Sequence, residues 1–245
     1  MGYSSEPRPW LPFLDRNDAG TRLGRALRHP GKDMPGVDST VVLGLARGGV
    51  PVAAAVARAI GRPLGVMVVR KLGVPGSPEV AFGAVATYGG ATSTVHLERT
   101  IRELRGHGYG LAELEGVDRG ERDELARRQG LYVHGTQTPV AGRTVLLCDD
   151  GLATGATMRA AVVLMREAGA GVVVVCVPAA PRHSCAELAG DADRVICLQP
   201  WPNLRAVSEA YLRFGQVGDA EVLALLAGTG PLPEDSGDPG PLKWQ

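Results

Sequence analysis

The sequence predicts an α/β fold: a mostly parallel sheet flanked by helices and carrying a helical insertion. Three observations predict it. Several Val-rich runs are apolar throughout rather than alternating, which marks strands buried on both faces. Stretches with helical periodicity separate them, the order that builds parallel βαβ units. A long charged stretch, 98–129, interrupts that order.

Taken in order, 41–46 is the first strand, closed by Arg47-Gly48-Gly49, and 50–60 is a helix. Residues 64–69 are β-branched, bounded by Pro63 and Arg70-Lys71, and form the second strand. Two glycines and two prolines within 73–78 predict a loop. Short strands follow at 81–87 and 93–97, around Tyr88-Gly89-Gly90. In 98–129, Leu and Ile at helical spacing among dense Arg, Glu and Asp predict two solvated helices broken near 106–110. The alternation then resumes with strand 145–148, helix 154–168, strand 172–177, short helix 184–189 and strand 195–198. Helices 204–214 and 220–226 complete one domain over 1–227, and the Pro/Gly-rich 228–245 reads as a disordered tail.

Charge and composition exclude several classes. The 245 residues carry 26 Lys+Arg against 26 Asp+Glu. That balance supplies no general pull toward nucleic acid or an anionic membrane. No apolar run reaches the roughly 18 residues of a membrane-spanning helix, and the N-terminus has no secretory h-region. Glu6 stands where a myristoylation signal at Gly2 needs Ser or Thr. A cytoplasmic location is therefore expected. Hydrophobic residues are 44% but aromatics only 4%, so the core must be Val, Leu and Ala. Cys148, Cys176, Cys185 and Cys197 form no CxxC pair, and neither a disulfide framework nor a zinc site is expected.

The segment 145–157, VLLCDDGLATGAT, carries the most chemistry. A buried strand ends in Asp149 and Asp150, passes a small-residue turn and enters a helix. Free amides at the helix start, with the hydroxyls of Thr154 and Thr157, suit a phosphate. Small residues let it approach closely. Two carboxylates one step earlier would repel it. They suit a neighbouring group that donates hydrogen bonds, such as ribose hydroxyls, or a bound Mg²⁺. A solvated strand-end pair is the plain alternative. A receiver domain would place its acids on the first strand, and a Walker loop would need Gly-Lys-Ser/Thr.

This segment resembles the signature of the type I phosphoribosyltransferases. The resemblance implies that Asp149 and Asp150 hold the ribose hydroxyls of phosphoribosyl diphosphate. Ala153, Thr154, Gly155, Ala156 and Thr157 would bind its 5-phosphate. The turn Ala46-Arg47-Gly48-Gly49 is similar to the family's diphosphate loop, with a guanidinium able to grip phosphate oxygens. The family's non-proline cis peptide would fall at Ala46-Arg47. Arg70 and Lys71 precede the Gly/Pro loop as a basic pair before a mobile lid, and Lys71 is one of only three lysines beside 23 arginines. A small hood over the acceptor completes the implied fold.

Further motifs are similar to one subgroup of mostly uncharacterised bacterial phosphoribosyltransferases, from about residue 13 to 225. They are 13–20 (FLDRNDAG), 70–73 (RKLG) with Pro78-Glu79, Arg127-Arg128 with Tyr132, and 211–219 with Tyr211, Phe214, Gln216, Val217 and Asp219. The implied reaction displaces diphosphate from the anomeric carbon by a nitrogen nucleophile, through an oxocarbenium-like transition state. Lys71, Arg47, Asp149 and Asp150 are the expected catalytic residues, with Mg²⁺ touching the two aspartates indirectly. Ala153 stands where 6-oxopurine enzymes carry an aspartate, as in adenine-type enzymes. Glu79 is a candidate base, or a solvated loop residue. Tyr132, Trp201, Tyr211 and Phe214 are candidate hood aromatics that also read as packing, and His183 reads as a surface histidine. A small-molecule acceptor and a homodimer are the implied partners. A regulator that senses phosphoribosyl diphosphate or a nucleotide without transfer is the rival reading. Zero net charge and the lack of a helix-turn-helix stretch argue against it.

Overall fold

A computed structural model describes residues 11–28, 39–134 and 137–228, apart from the side chains of 78 and 79. The tail 229–245, and with it the expected disorder, lies outside the described residues. Seven strands form one sheet in the order β4-β3-β2-β1-β5-β6-β7. They are β1 (Thr40–Ala46), β2 (Leu64–Val74), β3 (Ser77–Tyr88), β4 (Ala91–His96), β5 (Thr144–Cys148), β6 (Val172–Pro181) and β7 (Arg194–Trp201). The five strands from β2 to β7 through the centre are parallel, and β3 and β4 add antiparallel pairs at one edge. The mostly parallel α/β sheet is thus as expected.

Alternate residues of each central strand feed opposite faces. Val41, Leu43 and Leu45 pack toward α5 (Ala156–Glu167) with Val145 and Leu147. Val42, Leu146, Cys148 and Cys176 pack toward α1 (Arg16–Arg28) and α2 (Gly49–Ile60). Every residue of β1 is buried, which is why it reads as a continuous apolar run. All four cysteines are free, two of them buried within the strands.

Helix α1 was not among the expected elements. It meets α2 through Gly20 and Gly24 rather than through large apolar residues. A Cβ on Gly20 would lie 2.5 Å from the Val52 carbonyl oxygen, and one on Gly24 2.5 Å from Ala59 Cβ. The two helices therefore approach more closely than a Leu-lined face permits. Leu23, fully buried, adds about 2 kcal/mol of apolar burial.

The charged insertion is two helices, α3 (Glu98–Gly106) and α4 (Leu111–Tyr132), with the break where the glycines predict it. Leu114, Leu125, Arg128 and Tyr132 turn inward, and the opposite face is solvated. Helices α6 (Arg182–Leu188) and α7 (Asp219–Ala227) follow. No helix among the described residues is long and apolar enough to cross a membrane.

Two expectations are corrected. Residues 73–78 are not a loop: β2 runs to Val74 and β3 begins at Ser77. Only Pro75-Gly76 turns, with Gly76 at φ +75°, the position where a Pro-Gly turn wants glycine. Register shifts at Leu72/Gly73 and Gly73/Val74 absorb the extra length of β3, whose partners run from Gly83 to Ser77 over the same stretch. Residues 204–214 are not a helix but an irregular segment with one 3₁₀ turn, Val207–Ala210. Its apolar residues fill a small satellite core instead. Phe13 pairs with Tyr211 as an isolated bridge, and Trp201, Leu204 and Ala210 join them.

Candidate functional site

Chain order places the site. From β1 the chain crosses to β2 on one side, and β5 later joins β1 on the other. A crevice forms beyond the strand ends at such a switch. The parallel register Gly44↔Cys148 carries the turn after β1 alongside the acids after β5.

The Ala46-Arg47 peptide is cis, as the resemblance implied. Gly48 follows in ordinary helical backbone, φ −58° and ψ −35°, so it is glycine for space and not for conformation. A Cβ there would sit 2.3 Å from Asp150 Oδ2. One on Gly49 would sit 2.4 Å from the Cys148 carbonyl oxygen. Two loops far apart in sequence thus touch backbone to carboxylate.

Asp149 and Asp150 lie at the floor of a cleft of about 490 Å³, a size that suits a small ligand. Arg16, Arg47, Thr157 and Phe214 line its walls, with the backbone of Ala46, Gly48 and Gly215. The Asp150 amide donates to Asp149 Oδ1 at 2.9 Å. Tyr211 donates its hydroxyl to the Asp150 carbonyl at 2.6 Å, tying the satellite core to the floor. Burial pushes both carboxyls above the usual carboxylate range. The neighbouring Asp150 charge adds to the rise at Asp149, while Arg16 pulls Asp150 back down.

Arg16 is the residue that sequence reasoning missed. Its Nε lies 2.7 Å from Asp150 Oδ2 and its Nη1 donates to the Gly215 carbonyl at 2.7 Å. Its guanidinium stacks 3.9 Å from the Phe214 ring centre. Phe214 in turn packs on Tyr211, 5.0 Å between ring centres. The motif 13–20 was the available signal, although nothing in it pointed to a role for Arg16.

Beyond the acids, Gly151 packs under the 3₁₀ turn, where a Cβ would lie 2.6 Å from Val207 Cγ1. Ala153 and Thr154 are exposed, and Ser184 anchors the loop by donating to the Ala153 carbonyl at 2.9 Å. Gly155 caps α5 at φ +72°. The first amides of α5, from Ala156 and Thr157, have no partner within the helix and open beside the cleft.

The remaining expected residues divide. Val69 lines the cleft, and strand alternation sets Lys71 on the same face, one step farther out. Arg70 faces the other way, where its Nε pairs with Glu121 of α4 at 2.6 Å. Neither basic residue lines the cleft itself. Tyr132 ends α4 and packs in the core beneath that helix, Trp201 and Tyr211 pack in the satellite core, and His183 is exposed on α6. The Glu79 side chain lies outside what is described.

A sheet with its crevice at the β1/β5 switch, floored by two acids and flanked by a helix N-terminus, defines an α/β protein with a candidate small-ligand cleft. A model of the phosphoribosyl transferase domain matches residues 35–210, and the chain belongs to the phosphoribosyltransferase family. It is 42% identical over 218 residues to "Putative phosphoribosyl transferase Rv0571c" of Mycobacterium tuberculosis strain H37Rv, covering 87% of this chain and 46% of that protein. "Putative phosphoribosyl transferase MT0597" of strain CDC 1551 matches with the same figures. The chain thus spans about half the length of the curated relatives it matches. The crystal structure of TT1426 from Thermus thermophilus superposes with a TM-score of 0.68 at 38% identity, over 89% of this chain and 99% of that one.

Proposed function

We propose that the protein transfers a phosphoribosyl group from 5-phosphoribosyl 1-diphosphate to a nitrogen acceptor and releases diphosphate. The observation that carries this reading is the contact of the Arg47-Gly48-Gly49 turn with the Asp149/Asp150 pair in one cleft. Asp149 and Asp150 accept hydrogen bonds from the ribose hydroxyls. The amides and hydroxyls of 153–157 hold the 5-phosphate. Arg47 meets the diphosphate, and Lys71 reaches it from the strand face it shares with Val69. Arg70 is left out of this set because Glu121 engages it on the opposite face.

The acids fit Mg²⁺ as part of a ligand complex. Each has one carboxylate oxygen engaged, by the Asp150 amide or by Arg16, and the other oxygen remains for a cation. Among the described residues no group of three His, Cys, Asp or Glu side chains forms a metal cage. Mg²⁺ commonly binds through one or two carboxylates together with substrate phosphates. When bound, it neutralises charge on the departing diphosphate. The chain's own residues hold the ribose, bind the leaving group through Arg47 and Lys71, and exclude water from the anomeric carbon.

Titration calorimetry with phosphoribosyl diphosphate and Mg²⁺ tests the assignment. The double variant Asp149→Asn/Asp150→Asn loses binding while remaining folded. Unchanged affinity in the folded double variant refutes it.

A further inference from the structure

Asp219, the first residue of α7, has no task in the transfer as described, yet several groups converge on it. Arg47 Nη1 lies 3.3 Å from its Oδ1. The Tyr132 hydroxyl donates to the same oxygen. Arg127 Nη2 lies 3.6 Å from Oδ2, and Arg127 is itself fixed to Glu124 at 2.6 and 3.0 Å. Tyr132, Arg127 and Glu124 all belong to α4. A single carboxylate, 172 residues from Arg47 in sequence, thus ties the cleft's arginine to the helical insertion.

We propose that Asp219 is a positioning residue: it orients the Arg47 guanidinium toward the diphosphate, and Tyr132 and Arg127 of the insertion hold Asp219 in place. The inference rests on the transferase reading above. Arg47 stands on a turn whose next two residues are glycines, and its side chain is 24% exposed, so the tip that faces the cleft is not fixed by the turn alone. A free arginine loses several rotamers on gripping a ligand, and a fixed partner spends part of that entropy in advance. Arg47 lines the cleft whereas Asp219 does not. The carboxylate therefore meets the guanidinium at one nitrogen from behind and leaves other N–H groups for phosphate oxygens.

An opposing effect must be weighed. A carboxylate close to an anion site repels the ligand. Here that charge is shared by two guanidiniums and a phenol, and it sits at the N-terminus of α7, where the helix dipole offsets it. The Tyr132 hydrogen bond first, then Arg47 and Arg127, hold the Asp219 carboxyl below its ordinary range. Burial and Asp219 push the Tyr132 phenol up to about 12, so it stays a donor. The repulsion is screened and the orientation remains.

A double-mutant cycle separates this role from a structural one. Calorimetric titration with phosphoribosyl diphosphate and Mg²⁺ compares wild type, Asp219→Asn, Tyr132→Phe and Arg47→Ala, and each of the first two substitutions combined with Arg47→Ala. Asp219→Asn weakens binding about three- to tenfold, the range expected for one side chain that must be ordered anew. Tyr132→Phe, which removes a single hydroxyl and leaves the helix packing intact, weakens it about twofold in the same direction. Neither substitution has a further effect once Arg47 is alanine. Two results overturn the inference: Asp219→Asn binding as tightly as wild type or tighter, or its full effect persisting without Arg47. A wild-type protein that does not bind the ligand at all overturns the transferase reading and this inference with it. Wild-type binding with an indifferent Asp219→Asn overturns the inference alone.

Discussion

Alanine at Gly48 probes the contact between the two loops without straining the backbone. Its φ and ψ of −58° and −35° suit alanine well, so the cost comes from the new methyl group alone. That methyl would lie 2.3 Å from Asp150 Oδ2 and 2.8 Å from its Cγ. The Asp150 carboxylate is a short side chain held at 2.7 Å by Arg16, with both side chains less than 15% exposed. It can swing aside only by breaking that pair. Losing a mostly buried pair costs about 1–3 kcal/mol, below the figure for full burial. Alanine's stiffer unfolded chain returns about 0.4–1 kcal/mol. The melting temperature therefore falls by no more than about 10 °C, at about 2–4 °C per kcal/mol for a domain of this size. Ligand affinity falls further, at least tenfold, because a hydrogen bond to a charged group is worth about 1.5–3 kcal/mol.

Gly49→Ala supplies the contrast. Its methyl would meet the Cys148 carbonyl oxygen at 2.4 Å and Asp149 Cα at 2.9 Å. Neither can rotate away, so β5 itself must shift, at about 1–3 kcal/mol or more. Thermal unfolding and calorimetric titration on both variants give the answer. Gly48→Ala loses affinity out of proportion to stability, and Gly49→Ala loses both. Wild-type affinity in Gly48→Ala would refute the reasoning.

Arg16→Ala leaves Asp150 without its counter-charge and exposes Phe214. The melting temperature falls by about 2–12 °C, a loss of about 1–3 kcal/mol, readable by calorimetry. Asp149→Asn behaves in the opposite sense. The Asp149 carboxyl is raised on folding by burial and by Asp150, so its contribution is fully present below the unfolded value of about 4 and is lost as pH rises toward the raised folded value. Asp149→Asn therefore matches wild-type stability at about pH 4 and exceeds it increasingly toward neutral pH in thermal scans. In the insertion, a Cβ on Gly116 would meet nothing within 4 Å. Gly116→Ala stabilises α4 by about 0.5–1 kcal/mol, measured by denaturant unfolding.

The parts of the fold legible in sequence were those whose signal is local. β1 and β5 announce themselves as apolar runs, and each hands over to a helix through small residues and charged groups that have few other uses. The break between α3 and α4 follows from Gly106, Gly108 and Gly110 in the same way. Helix α1 was illegible because its buried face is Ala19, Gly20, Leu23, Gly24 and Leu27. Glycine argues against a helix locally, and only the approach of α2 makes it favourable. The segment around Val207–Ala210 misled for the converse reason. Its apolar residues serve Trp201 nearby and Phe13 at the far end of the chain, rather than a helical stripe.

The site divides along the same line. Asp149, Asp150, Arg47 and Thr157 lie in contiguous motifs and line one cleft. Arg16 lines it too but was not legible, because its partner Asp150 is 134 residues distant and no spacing rule connects them. Arg70 and Lys71 show the limit of motif reading from the other side. Adjacent residues of a strand face opposite ways, so one member of the basic pair is drawn to Glu121 while the other keeps the face of the cleft.

Diphosphate release from phosphoribosyl diphosphate and Mg²⁺ is the most direct test of the central claim. It is run against a panel of nucleobases and then a metabolite extract, with Asp149→Asn/Asp150→Asn as control. Release that one acceptor stimulates, and that the control lacks, is the predicted result. Silence across panel and extract, with tight binding of phosphoribosyl diphosphate retained, would contradict transfer and leave a sensor of that ligand.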